Sequence, residues 1–241
     1  MKVYFITGAS KGIGFELARQ LSEAGHFVVG IARTKSELDS VKFIRADLTE
    51  TEQLESVMDE LFATTPQNSE SFTLINNAGM VDPIGLIGSV NAVEMTNAIT
   101  VNLTAPMILS NAFISKLKDF KGSKRIINIS SGAGRKAYEG WGTYCTTKAG
   151  LDHFSRVIAL EQLNEEYPVE IVSIAPGIVD TGMQETIRAS NEAAFPLLDQ
   201  FITYKEQGLL SGTEQTAQKI ISFIDHVNFK EAGPIADIRN Y

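Results

Sequence analysis

The sequence predicts an α/β fold: a single doubly wound parallel sheet of about seven strands with helices on both faces. Three observations predict it. Short apolar runs alternate with longer amphipathic stretches along the whole chain. The runs are rich in Val, Ile and Phe and mostly lack polar alternation, as strands covered on both faces do. A glycine-rich turn, "TGASKGIG" (7–14), joins the first run to the first amphipathic stretch. Such alternation implies right-handed crossovers and therefore parallel strands.

The first strand is "KVYFIT" (2–7). A helix over 14–25 follows, with Leu17 and Leu21 on one face and Gly25 as its terminator. "HFVVGIA" (26–32) and "KFIRA" (42–46) are the next two strands. The stretch 49–63 places Leu54, Val57, Met58 and Leu61 at helical spacing, with Thr49 as N-cap and Glu52 three residues later. "FTLINN" (72–77) is the fourth strand, before a long helix from about 91 to 118 that carries a kink at Pro106. "RIINIS" (125–130), a helix from about 143 to 165, and "VEIVSIA" (169–175) complete the regular pattern, and "GPIADI" (233–238) is a weaker seventh strand. Residues 182–212 are the least regular, with Pro196, Gly208, Gly212 and the apolar patch "FPLLDQFITY". They read either as two short helices packed on the core or as a lid over a substrate pocket. Without repeats, low-complexity tracts or linkers, residues 1–241 read as one domain.

At 241 residues, with 44% hydrophobic and 21% charged residues, the chain can enclose a substantial core without staples. Acidic residues exceed basic ones by 8, and that field repels nucleic acid and anionic membranes. A small anionic ligand can still bind where backbone amides and a few cations oppose the global field. The one cysteine, Cys145, permits no internal disulfide and no cysteine metal cluster. His26, His153 and His226 lack ligand-like spacing, so no metal site is expected. The start "MKVYFITGAS" is too short an apolar run for a signal peptide, no stretch reaches membrane-spanning length, and a cytoplasmic location is expected.

In "TGASKGIG", glycines at 8, 12 and 14 let the backbone turn tightly and approach a ligand. The helix N-terminus beyond offers unpaired amides and a positive dipole to a pyrophosphate. Lys11 lies inside the turn, and Arg33 follows the second strand where an NAD site would present an acid to the ribose. Either cation alone could merely solubilise a loop. Together, at those two places, they favour NADP over NAD.

The window "SSGAGRKAYEGWGTYCTTK" (130–148) sets Ser131 thirteen residues before Tyr144 and Lys148 four after it. Residues four apart share a helix face, so the phenol and the ammonium can enter one cleft. A nearby cation favours phenolate and is expected to lower the tyrosine pKa. Moving it from about 10 to about 7 takes roughly 4 kcal/mol, more than one exposed lysine supplies. A partly desolvated lysine, aided by an oxidised nicotinamide ring, could supply it.

These motifs, in order, resemble the short-chain dehydrogenase/reductase family: the "TGASKGIG" turn, Asp47-Leu48, "NNAG" (76–79), Asn102 in "TVNLTAP", the Ser131–Tyr144–Lys148 set and "PGIVDT" (176–181). The resemblance spans essentially the whole chain. "INISSGAG", "GWGTYCTTKAG" and "APGIVDTGMQ" further resemble bacterial (S)-benzoin-forming benzil reductases, which are similar to sepiapterin reductases. The resemblance implies a Rossmann-type fold and an NADPH-dependent carbonyl reductase. Its substrate would be a ketone, such as one carbonyl of the α-diketone benzil, reduced to an α-hydroxy ketone. A pterin reductase of the sepiapterin type is the alternative, and a non-catalytic NADP-sensing protein is a reading from another class.

The resemblance also implies roles. Tyr144 donates the proton, Ser131 hydrogen-bonds the reacting oxygen, and Lys148 and Asn102 serve a relay whose water sits on the Asn102 carbonyl. Ile6, Gly8, Ser10, Lys11, Gly12, Ile13 and Gly14 would line the phosphate side of the cofactor, with Arg33 at its 2′-phosphate. Asp47 and Leu48 would meet the adenine, and Asn77, Ala78 and Gly79 the ribose. Pro176, Gly177, the backbone around Ile178 and Val179, and Thr181, with Tyr144 and Lys148, would hold the nicotinamide end. Asn76 is read instead as a tie between strands. Tyr138 and Trp141 could wall a ring-bearing substrate or pack the core, and Met183 could touch substrate or fill a gap. The family also implies a homodimer or homotetramer through the two long helices.

Overall fold

A computed structural model describes all 241 residues. Seven strands form one parallel sheet: β1 (Lys2–Thr7), β2 (Phe27–Ala32), β3 (Lys42–Arg45), β4 (Ser71–Asn76), β5 (Ser123–Ile129), β6 (Glu170–Ala175) and β7 (Ile235–Asp237). Their spatial order is β3-β2-β1-β4-β5-β6-β7, so the winding reverses between β1 and β4. In open α/β sheets the crevice beyond the strand C-termini at such a reversal is where ligands sit.

Alternation along each strand divides the core between the two faces. Val3, Phe5, Val29, Ile31, Leu74 and Ile126 face one way, against α2 (Leu54–Ala63) and α4 (Ala105–Lys116). Tyr4, Ile6, Val28, Ile75, Ile127 and Val172 face the other, against α1 (Gly12–Glu23) and α8 (Thr213–His226). This two-sided burial is why the strands read as apolar runs. The remaining helices are α3 (Ala92–Ile99), α5 (Gly142–Glu161), α6 (Gly182–Arg188), α7 (Leu198–Glu206) and α9 (Phe229–Ala232).

Several sequence expectations are corrected. Helix α1 begins at Gly12 rather than 14, and ends as expected before Gly25, whose φ is +81°. Thr49 caps no helix: its amide and hydroxyl both donate to the Asp47 carboxylate, at 3.0 and 2.9 Å, and a 3-10 turn over Thr51–Gln53 leads into α2. The stretch 92–116 is long and apolar enough to cross a membrane by length and composition, contrary to expectation. Here Ala105, Leu109 and Phe113 are buried against the sheet, which accounts for that apolarity. Where a kink is expected, a π-helical turn runs over Thr100–Thr104, just ahead of Pro106, which has no N–H to continue the regular ladder. Residues 182–212 contain α6 and α7, with Phe195 and Phe201 buried.

At the reversal point the β1 and β4 ends are laced together. The amides of Asn77 and Ala78 each donate to the Thr7 hydroxyl at 3.0 Å, and Asn77 Nδ2 donates to the Thr7 carbonyl at 2.9 Å. Asn76 donates to Asn128 Oδ1 at 2.8 Å, joining β4 to β5 as expected of a strand tie. Gly14 packs into this knot: a methyl group there would lie 2.3 Å from Asn77 Nδ2 and 2.4 Å from the Gly8 carbonyl oxygen. The second neighbour is backbone and cannot rotate away. Gly14→Ala is therefore expected to destabilise the fold by about 2 kcal/mol, as overpacked sites do; denaturant titration of the two proteins checks this, and equal midpoints would contradict it.

Candidate active site

The residues singled out in the sequence fall into three groups along the C-terminal edge of the sheet. At the first, the turn after β1 leaves Gly8 and Gly12 at φ +68° and +61°. No side chain caps α1 and its first turn holds no acid, so its N-terminal amides and dipole stand free for an anion. A methyl group on Gly8 would lie 2.9 Å from Ala78 Cα, which shows how closely the two loops approach. Across the crevice, Thr181 Cγ2 would lie 3.6 Å from a methyl group on Gly12. Ser10, Ile13, Asn77, Pro176 and Gly177 are half-buried around this cradle, and Lys11 is exposed on it. The cradle fits the pyrophosphate of a dinucleotide.

Two side chains in the stretches expected to meet the cofactor point into the core. The Ile6 side chain is fully buried on the α1–α8 face, and Leu48 is buried on the other face, against α2. Only their backbone can meet a ligand. The side chain of Val179, expected to act through its backbone, is also buried, and the residue pairs with Ser211 in an isolated bridge.

The second group lies at the ends of β2 and β3. Arg33 is exposed, and no acid follows Ala32 at the end of β2. Asp47 is half-buried and accepts from Thr49; those hydrogen bonds hold its carboxyl below the ordinary range, with a smaller contribution from Arg33.

The third group is built on α5 and the turn after β5. Lys148 is 4% exposed, and its Nζ donates to the carbonyl of Ile129, the last residue of β5, at 2.9 Å. The ammonium stands 5.7 Å from the centroid of the Tyr144 ring. Gly79 borders it: a methyl group there would lie 3.5 Å from Nζ and 3.4 Å from Asn102 Oδ1. Asn102 is fully buried; its side chain accepts from the Met80 amide at 2.9 Å and donates to the Met80 carbonyl at 2.8 Å and to Thr147 at 3.2 Å. Ser130 is buried, its amide bonded to Ile174 across to β6. Ser131 is the half-buried member of the pair, and its Oγ accepts from the Ala133 amide at 3.2 Å.

Burial acts on the two titrating groups in opposite directions, because it penalises the charged form of each. The Tyr144 phenol is pushed up to about 12 by burial, with the Ser131 hydroxyl opposing and Cys145 reinforcing. Burial pushes the Lys148 ammonium down to about 8, with Asp152 opposing. In the protein by itself, burial is the dominant influence on the phenol. The lysine bonds to a carbonyl rather than to the phenol.

An aromatic cluster covers Tyr144. Trp141 meets it edge-on at 5.5 Å, stacks on Phe195 at 4.9 Å and touches Phe201 at 5.2 Å and Tyr138 at 5.4 Å. Met183 packs at its margin. Trp141 is 5% exposed, yet its indole N–H has no partner, and neither has the buried Gln184 Oε1 on α6. A cleft of about 540 Å³ opens nearby, lined by Met80, Ile84, Val90 and Ala194, with Asp82 and Glu94 among its walls. Phe195 and Phe201 escaped the sequence reading as individual site residues. Their only signal was membership of the apolar patch "FPLLDQFITY".

The profile of the short chain dehydrogenase family matches residues 2–192. The chain is 38% identical over 244 residues to the benzil reductase ((S)-benzoin forming) of Bacillus subtilis (strain 168), with 100% of both chains covered. It is 40% identical over 241 residues to the enzyme of the same name from Bacillus cereus, covering 96% of this chain and 97% of that one. Sepiapterin reductase of Rattus norvegicus is 31% identical, over 97% and 95%. Among solved structures, the KRED1-Pglu enzyme superposes with a TM-score of 0.86 at 28% identity, over 98% of this chain and 100% of that one. The chain belongs to the short-chain dehydrogenase/reductase family, whose cofactors are nicotinamide dinucleotides, and it is an oxidoreductase.

Proposed function

We propose that this protein is an NADPH-dependent carbonyl reductase that reduces one carbonyl of an α-diketone, such as benzil, to an α-hydroxy ketone. The observation that carries the reading is a buried, protonated phenol beside Ser131 and Lys148 under a cap of aromatic rings. Full-length similarity to two benzil reductases supports it. NADPH, when bound, supplies the hydride to the carbonyl carbon. Tyr144 gives its proton to the oxygen as negative charge develops there. Ser131 donates a hydrogen bond to the same oxygen. Lys148 restores the tyrosine proton, fed through water on the Asn102 carbonyl, which Pro106 has no N–H to occupy.

For the cofactor, the α1 amides would take the pyrophosphate, and Lys11 and Arg33 the 2′-phosphate. Asp47 would border the adenine, and Asn77 to Gly79 the ribose. The turn from Pro176 to Thr181 would hold the nicotinamide end. For the substrate, the rings of Trp141 and Tyr138, with Met183, supply apolar walls, and Asp82 and Glu94 in the nearby cleft disfavour anions. The unpartnered Trp141 N–H favours a substrate with a second acceptor, since a buried donor left unpaired costs about 1–3 kcal/mol. The adjacent carbonyl of a diketone is such an acceptor.

The pterin reading shares adjacent carbonyls and draws on the similarity to sepiapterin reductase. A sensor would need no proton donor. The family's homodimer or homotetramer is supported by exposed Met107 on α4 and exposed Val157 and Leu160 on α5. Incubating the protein with NADPH and benzil while following cofactor absorbance tests the main reading. Oxidation of NADPH with benzoin formed is expected. Turnover of sepiapterin alone selects the pterin reading, and tight NADPH binding without turnover across a diketone panel selects the sensor.

Three substitutions extend the test. Tyr144→Phe is expected to lower kcat by about 10²- to 10⁴-fold, while the dissociation constant for NADPH stays nearly constant; undiminished turnover removes the phenol from the chemistry. Arg33→Asp is expected to reduce the NADPH-to-NADH ratio of kcat/KM by roughly 30- to 100-fold, as loss of a charge-assisted bond plus repulsion would. An unmoved ratio rejects the 2′-phosphate contact. Trp141→Phe keeps a ring but removes the donor, so diketone kcat/KM is expected to fall about tenfold more than that of a matched monoketone. Equal losses would reduce Trp141 to packing.

A further inference from the structure

Tyr144, Lys148 and Asp152 succeed one another at intervals of four on α5, so they share one helix face. Asp152 is 1% exposed. Its Oδ2 accepts from Arg135 Nε at 3.1 Å, and its Oδ1 accepts from the Ser173 hydroxyl on β6 at 2.7 Å. Arg135 also donates through Nη2 to the Ala236 carbonyl on β7 at 2.9 Å. Its amide closes the turn that begins at Ser131, donating to the Gly132 carbonyl at 3.0 Å. That turn lies tight on α5, since a methyl group on Gly134 would sit 2.8 Å from the Lys148 carbonyl carbon. One carboxylate therefore gathers the Ser131 turn, α5, β6 and, through Arg135, β7.

Packing alone does not call for a charge here. Buried ion pairs are often no more stabilising than apolar residues of the same volume. What an apolar residue could not supply is negative charge one turn beyond a buried ammonium. The groups facing Lys148 from other elements, the Ile129 carbonyl and the Asn102 amide, are neutral, as is the Tyr144 ring on its own helix. Behind Asp152 stands Arg135, and beyond it Asp237 and Arg239 pair with each other. Burial works against the ammonium, and Asp152 is the group that opposes it.

We propose that Asp152 is a positioning residue for the Tyr144–Lys148 pair, the counter-charge of the buried ammonium and, through Arg135, the fastening of the Ser131 turn to the helix that bears the phenol. This rests on the relay role assigned to Lys148 above. The electrostatics has a definite sign. Asp152→Asn removes the anion and leaves the Arg135 cation, so Lys148 loses its proton at lower pH. Arg135→Gln removes the cation and leaves the anion, so Lys148 keeps its proton to higher pH.

The test labels lysine at Cε with carbon-13 and follows the Lys148 resonance, identified by its absence in Lys148→Met, through a pH titration. The midpoint is expected to fall by about one pH unit in Asp152→Asn, to rise in Arg135→Gln, and to return towards the parent value in Asp152→Glu. The alkaline limb of benzil reduction should move with it in each variant. Midpoints that stay fixed, or that move the same way in the first two variants, overturn the proposal. Should Asp152→Asn not fold, Arg135→Gln carries the test, because Arg135 lies in an exposed loop. Opposite shifts in a protein that reduces no diketone would overturn the function reading alone. Fixed midpoints in a protein whose turnover Lys148→Met abolishes would overturn only the role of Asp152.

Discussion

The hydrogen bond from Lys148 to the Ile129 carbonyl is the constraint on which the site depends. A buried ammonium must find partners, and this one finds the last carbonyl of β5. That bond fastens α5 to the sheet edge at one point. Tyr144 lies one turn before the fastened residue, and Ser131 two residues beyond the fastening carbonyl. The relative placement of phenol and serine follows from a contact that neither makes. Thr147 extends the fastening, since its hydroxyl donates to the Tyr144 carbonyl and accepts from Asn102.

In the proposed roles of Tyr144 and Lys148, the same burial favours the reductive direction. It raises the phenol and lowers the ammonium, so near neutrality Tyr144 holds its proton and Lys148 remains largely charged. A protonated phenol suits reduction, where the developing alkoxide takes the proton. Oxidation asks the same group to work as phenolate, against the full cost of burial. In the reductive direction the cation is needed after transfer, to balance the phenolate just formed and to return its proton. An acidified resting phenol is not required.

The strands and the reversal of winding were legible because burial on both faces writes itself into short apolar runs. The Ser131–Tyr144–Lys148 set was legible for a different reason: its geometry is local, one strand end and one helix turn. What escaped was whatever tertiary contact decides. Thr49 has the residue type and spacing of a cap, but the Asp47 carboxylate takes both its donors. Ile6 and Leu48 sit inside ligand-binding motifs, yet strand alternation and helix packing turn their side chains into the core. The aromatic cap joins Trp141 to Phe195 and Phe201, more than fifty residues away, and no local pattern could pair them. The spacing of four that marks Tyr144 and Lys148 does continue to Asp152, but an aspartate on a helix reads as solvated surface until its burial is known.

An acidic protein of a family that binds nicotinamide dinucleotides needs, at its crevice, a local field that differs from the global one. Some cations away from the crevice are tied to carboxylates: Arg19 to Glu16, Glu23 and Glu214, Lys2 to Asp225, and Arg125 to Glu170. At the crevice, Lys11 stands exposed at the bare N-terminus of α1, whose first turn holds no acid, and Arg33 stands exposed past the end of β2. Amides and a helix dipole act over about one turn, well within the screening length of about 8 Å at physiological salt. The net charge of −8 is spread over the whole surface and is screened over that distance. The local field therefore governs a phosphate once it arrives, whereas the global field acts on approach and weakens as salt rises.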